Sequence, residues 1–122
     1  MDKKMILVID DEKSLVEMIK TRLESEGYAV VLAGDGDEGL KKAKSVKPDL
    51  ILLDILMPKK DGYSFVAELR KDRNLKRIPI IVLTAKPDMK DLFEAEGVKD
   101  YVVKPFEDKA LLEKIKKYLG GA

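Results

Sequence analysis

Cysteine and histidine are both absent from the 122 residues. Without cysteine there are no disulfides, no thiolate nucleophile and no sulfur-ligated zinc or iron cluster. Without histidine, Ser/His and Cys/His arrangements and imidazole metal sites are excluded as well, which leaves Asp, Glu, Lys, Ser, Thr and Tyr for any chemistry. Long apolar runs are also missing. The first, Met5 to Ile9, is cut off by Asp10, far short of a signal-peptide core or a membrane span, so a cytoplasmic protein without membrane insertion is expected. Nor does either charge dominate. With 24 Lys+Arg against 23 Asp+Glu the net charge is +1, which argues against a generic binder of nucleic acid or anionic membrane. A single Asn and no Gln beside 39% charged residues fit, weakly, a thermophile's composition.

What is present is enough apolar material, 45% of residues, for one core without staples. No linker, low-complexity tract or repeat divides the chain, and the whole of 1–122 reads as a single domain. Apolar or β-branched runs at 4–10, 28–33, 49–54, 79–84 and 100–103 have the length of strands. Between them, apolar residues three and four apart predict helices. Leu15, Met18, Ile19 and Leu23 mark the first; others fall at 36–45, at 63–71 with Phe65, Val66 and Leu69 inward, at 88–96, and at 109–119 with Leu112, Ile115 and Leu119 on one stripe. Five β-α units in succession make the strands parallel, with helices on both faces of an open, doubly wound α/β sheet. The uninterrupted apolar runs Ile6–Ile9 and Ile51–Leu53 belong to strands covered on both sides.

In such sheets ligands bind beyond the carboxyl ends of the strands. The first strand ends in Asp10-Asp11, the third in Asp54 and the fourth in Thr84, while the fifth runs into Lys104-Pro105. Each has an ordinary explanation alone. Asp10 or Asp11 could cap the first helix; Asp54 could end a strand before the Pro58/Gly62 turn; Thr84 could be a strand residue and Lys104 a solvated charge. Their convergence on one rim weakens those explanations together. Carboxylates about 5 Å apart repel by roughly 3 kcal/mol per ionised pair at an effective dielectric near 20. Either protons are taken up or a hard cation enters, and an all-oxygen donor set favours Mg²⁺, with Mn²⁺ possible. Lys104 and Thr84 would then serve an anion such as a phosphoryl group, with Asp54 best placed as its acceptor.

These residues resemble the receiver domain of two-component response regulators, in its CheY-like form. The resemblance spans nearly the whole chain and rests on Ile-Asp-Asp-Glu at 9–12, Leu-Leu-Asp-Ile-Leu-Met-Pro at 52–58 with Asp61-Gly62, Leu-Thr-Ala-Lys at 83–86 and Tyr-Val-Val-Lys-Pro-Phe at 101–106. It implies a flavodoxin-like (βα)5 fold with strand order 2-1-3-4-5. It also implies that Asp54 accepts phosphate from a histidine kinase or phosphotransfer protein. Asp11, Asp54 and the Leu56 backbone carbonyl would hold Mg²⁺, with Asp10 helping directly or through water. Lys104 and Thr84 would contact the phosphoryl group, Lys104-Pro105 would be cis, and Tyr101 would turn inward as Thr84 moves. That motion would change how helix 4, strand 5 and helix 5 meet a downstream protein. By this resemblance the domain is no enzyme beyond its own phosphorylation and dephosphorylation, and does not bind DNA directly.

Two departures stand out. Only twenty positions separate Thr84 from Lys104, so the fourth helix or a flanking loop is expected to be trimmed. Leu56 brings no polar group to an attacking water, so slow self-dephosphorylation is expected, while Lys86 reaches either the phosphate or solvent. The Asp35–Gly39 stretch lacks the spacing of a calcium loop and reads as a helix start. The lysines at 41, 42, 44 and 47 and at 114, 116 and 117 read as solvated helix faces. Three rival functions are weaker. A phosphohydrolase needs a placed acid/base carboxylate and usually a cap domain; a flavin carrier needs a phosphate loop where this chain has acids; a phosphorylation-dead module would not retain every expected site residue.

Overall fold

The computed structural model describes residues 3–54, 62–84 and 98–120. Their strands are β1 (Met5–Ile9), β2 (Ala29–Ala33), β3 (Leu50–Asp54), β4 (Ile80–Thr84) and β5 (Asp100–Val103). They form one parallel sheet in the order β2-β1-β3-β4-β5, as the resemblance implied. The described helices are α1 (Lys13–Ser25), α2 (Gly36–Val46), α3 (Gly62–Lys71) and α4 (Asp108–Leu119). The helix expected at 88–96, the turn around Pro58, Leu56 and Lys86 lie outside the described residues.

Alternate residues of each strand face opposite ways, and this divides the core into two layers. Leu7, Ile9, Ile51, Leu53, Ile80 and Val82 pack with Ala43 of α2 and Phe65, Val66 and Leu69 of α3. Ile6, Val8, Leu50, Leu52, Ile81 and Leu83 pack with Val16, Ile19 and Leu23 of α1 and Leu111, Leu112 and Ile115 of α4. The inner strands β1 and β3 are therefore closed on both faces, which is why their sequences are apolar without alternation. The outer strands β2 and β5 are only partly buried. Truncating one of these core leucines to Ala costs about 2–5 kcal/mol in comparable sites.

One expected inward residue is not inward. Met18 is 49% exposed, and Val16 takes its place in the core beside Ile19 and Leu23. Residues 16, 19 and 23 share a stripe as well as 15, 18, 19 and 23 do, and the sheet selects the former. The start of α2 follows the sequence closely: Asp35 Oδ1 accepts from the Glu38 N–H at 2.9 Å, and Glu38 Oε1 accepts from the Gly34 N–H. Gly39 lets α2 approach the sheet, since a Cβ there would stand 2.5 Å from Ile9 Cδ1.

Tyr28, leading into β2, is fully buried, yet its hydroxyl has no hydrogen-bond partner among the described residues. Burial, helped by the nearby Glu26 charge, raises its phenol above the ordinary range. An unpaired buried hydroxyl costs about 1–3 kcal/mol, so Tyr28→Phe is expected to leave stability unchanged or raise it by about 1 kcal/mol in urea unfolding. A loss above about 1 kcal/mol would show that the hydroxyl is satisfied in solution.

Candidate phosphoacceptor and metal site

The register of the sheet builds the site. Ile9 pairs with Leu53, so Asp10, one residue on, is level with Asp54. Thr84 pairs with Val103, which puts Lys104 one step beyond, at the same end of the sheet. Asp10 is still held in the ladder by its N–H, which donates to Ala33 O at 3.1 Å. Its Oδ1 accepts from the Glu12 N–H at 3.0 Å, ordering the approach to α1, while Oδ2 accepts from Lys104 Nζ at 2.7 Å. The helix itself has Glu12 at its N-cap position with no side-chain cap, so neither Asp10 nor Asp11 is the N-cap of α1. One carboxylate thus orders the turn and meets the lysine at once.

Asp54 is buried at 7% exposure and Asp10 at 2%, whereas Asp11 is exposed. Carboxylate oxygens of all three lie within 4.8 Å of one another. Lys104 Nζ also stands 3.7 Å from Asp54 Oδ1, bridging the tips of β1 and β3. The Lys104–Pro105 bond is cis. Thr84 ends β4 at this rim, but its side chain, like Leu56, lies outside the described residues.

The donor chemistry fits a divalent hard cation. Three carboxylates and one ammonium gather at this rim, a formal excess of two negative charges, and every carboxylate donor is oxygen. Both Asp10 oxygens already have partners, while Asp11 makes no described hydrogen bond or ion pair.

An open parallel α/β sheet with an acidic cluster and a lysine at its strand tips defines a doubly wound α/β protein whose ligand site lies beyond the carboxyl ends of the strands. The family model for the response regulator receiver domain matches residues 6–116, and the chain belongs to that family. It is 46% identical over 121 residues to the probable transcriptional regulator ycf27 of Porphyridium aerugineum, covering 98% of this chain and 49% of that protein. It superimposes on the chemotaxis protein CheY4 of Vibrio cholerae with a TM-score of 0.91 at 34% identity, covering 96% of this chain and 99% of that one. It is also similar to the receiver domain of the sensor histidine kinase PA1611 from Pseudomonas aeruginosa, with TM-score 0.89, 34% identity and 98% and 100% coverage. That structure holds a magnesium ion coordinated in its active-site cleft. The chain spans about half the length of the curated relatives it matches.

Sequence reading missed what surrounds the strand leading to Lys104. Lys114, read as a solvated charge, donates from Nζ at 2.7 Å to both Asp100 Oδ1 and the Tyr101 backbone oxygen. Lys117 stands 4.0 Å from Asp100 Oδ2, and Lys116 pairs with Glu26 at 3.6 Å. Lys42, another supposed solvent charge, donates to Leu32 O and pairs with Glu38. The periodicity of α4 marks its buried stripe but carries no sign that an adjacent lysine reaches back to β5.

Burial alone would raise the Asp100 carboxyl. The Lys114 hydrogen bond, the Tyr101 N–H, the Lys114 charge and the Tyr118 hydroxyl outweigh it and hold the group below the usual aspartate range. A depressed folded value means the unfolded chain takes up the proton first. The resulting stabilisation is complete above the unfolded aspartate value, about 4, and is lost as pH falls through the lower folded value. By thermal unfolding, wild type is expected to be more stable than Asp100→Asn at pH 7, and the gap to shrink progressively as pH falls below about 4. A gap that widens on acidification would contradict this.

Proposed function

We propose that this chain is a phosphoacceptor switch that takes a phosphoryl group on Asp54 from the phosphohistidine of a sensor kinase or phosphotransfer protein. The reading rests on one observation above all. Asp10, Asp11 and Asp54 converge to within 4.8 Å of one another, beside a lysine held 2.7 Å from Asp10 and 3.7 Å from Asp54. In the transfer, an Asp54 oxygen attacks phosphorus, the bond from phosphorus to the donor imidazole breaks, and an acyl phosphate forms. Lys104 is poised to leave the carboxylates for a phosphoryl oxygen, carrying its charge to where negative charge arrives. Asp10 keeps Lys104 within reach, and Asp11 with Asp54 and the Leu56 carbonyl would hold Mg²⁺ or Mn²⁺. The ion supplies further neutralisation of the phosphoryl oxygens.

Thr84 and Tyr101 then serve as the switch. The phosphoryl group draws the Thr84 hydroxyl toward it, Tyr101 turns inward, and the face made by residues 88–96, β5 and α4 changes for a downstream protein. The domain acts on itself and turns over no other substrate. We place it in the cytoplasm, where such kinases present their phosphohistidine, and read 1–122 as one domain. Several relatives about twice as long are transcriptional regulators, so the output reaches an effector in the same chain or another, without DNA contact by the receiver itself.

Intact-mass spectrometry after incubation with acetyl phosphate tests the assignment. Wild type with Mg²⁺ is expected to gain one phosphoryl group, and Asp54→Ala, or wild type with excess chelator, none. Labelling of Asp54→Ala equal to wild type, or steady release of phosphate well beyond one equivalent per chain, would overturn it.

A further inference from the structure

Lys114 is tied into β5 more tightly than a surface lysine has reason to be. It projects from α4, with its side chain only one third exposed, and donates at 2.7 Å to Asp100 Oδ1 and to the Tyr101 backbone oxygen. The same ammonium lies 5.2 Å from the centroid of the Tyr101 ring, within the range of cation–π attraction. Asp100 is in turn fixed from its other oxygen by the Tyr118 hydroxyl at 3.1 Å, and its Oδ1 caps the Tyr101 N–H at 2.8 Å. The ring is partly buried against the core layer formed with α2 and α3. Lys114 therefore grips the backbone, the neighbouring side chain and the aromatic face of one residue.

We propose that Lys114 is a positioning residue for Tyr101, whose ammonium holds the ring in its observed orientation and sets how readily it turns. This rests on the function proposed above, in which the ring turns when Asp54 is phosphorylated, and adds to it a restraint applied from α4. The restraint acts against the turn, because rotating the ring away from the ammonium gives up the contact while the Asp100 and Tyr101 hydrogen bonds still pin the lysine. Lys117 provides the control. It is 4.0 Å from Asp100 but two-thirds exposed, and its ring contact, at 5.3 Å, is with Tyr118.

The test compares wild type, Lys114→Met, Lys114→Arg and Lys117→Met in two measurements. The first is the side-chain rotamer population of Tyr101, read by NMR on tyrosine-labelled protein without any phosphoryl mimic. Lys114→Met, which keeps the stem and loses the charge, is expected to spread the ring over a second rotamer; Lys114→Arg and Lys117→Met are expected to retain the wild-type population. The second is the apparent affinity for beryllofluoride with Mg²⁺, expected to tighten about two- to five-fold in Lys114→Met only, the scale of one exposed cation–π contact. An unchanged ring in Lys114→Met, or the same change in Lys117→Met, overturns the proposal. So does a freed ring with unchanged or weaker affinity. If wild type does not bind beryllofluoride, the phosphoacceptor reading fails on its own, and the rotamer measurement still decides whether Lys114 positions the ring.

Discussion

Mutual repulsion of three carboxylates is the constraint around which this structure is arranged. Asp10, Asp11 and Asp54 are brought within 4.8 Å by strand tips that the hydrophobic core holds in register. At an effective dielectric near 20 each ionised pair at this range costs roughly 3 kcal/mol. The described core residues of β1 and β3 are fully buried and closed on both faces, so these tips cannot drift apart without disturbing two layers of packing. Lys104 offsets part of the cost by bridging Asp10 and Asp54, and the remainder is a standing demand for positive charge. In the function proposed above, a divalent ion would answer it, and a phosphoryl group brought in with that ion would find its acceptor carboxylate already in place.

The same register connects the site to a distant face. Lys104 is one residue past the end of β5, and Tyr101 is the second residue of that strand. A change at the strand tip has a short rigid path to the ring, and the ring is held from outside by a lysine on the last described helix. In the proposed switch Tyr101 is a two-state element biased from both ends, and such an element needs no large displacement.

Much of this was legible in the amino-acid order. The strands stood out as short apolar runs, those of Ile6–Ile9 and Leu50–Leu53 being fully buried, and each observed strand lies within its expected range to one or two residues. The rim residues stood out because chemistry-bearing side chains fall directly after those strands, and the register brings Asp10 and Asp54 level. Periodicity failed at Met18, where two overlapping stripes of α1 are equally apolar and only the position of the sheet chooses between them. It failed again at Lys42 and Lys114, whose long side chains cross from one element to another. A contact between residues 10 to 14 apart, made by a flexible stem, leaves no local pattern in composition or spacing.

Thermal unfolding of wild type and Asp11→Asn, each with chelator and with increasing Mg²⁺, tests the central claim most directly. Removing one of three crowded charges should make Asp11→Asn the more stable protein in chelator, by about 1 kcal/mol for this exposed member of the cluster. Mg²⁺ should then stabilise wild type progressively and Asp11→Asn much less, so that the order reverses. An Asp11→Asn protein less stable in chelator, with neither protein responding to Mg²⁺, would mean that the carboxylates neither strain one another nor hold a cation.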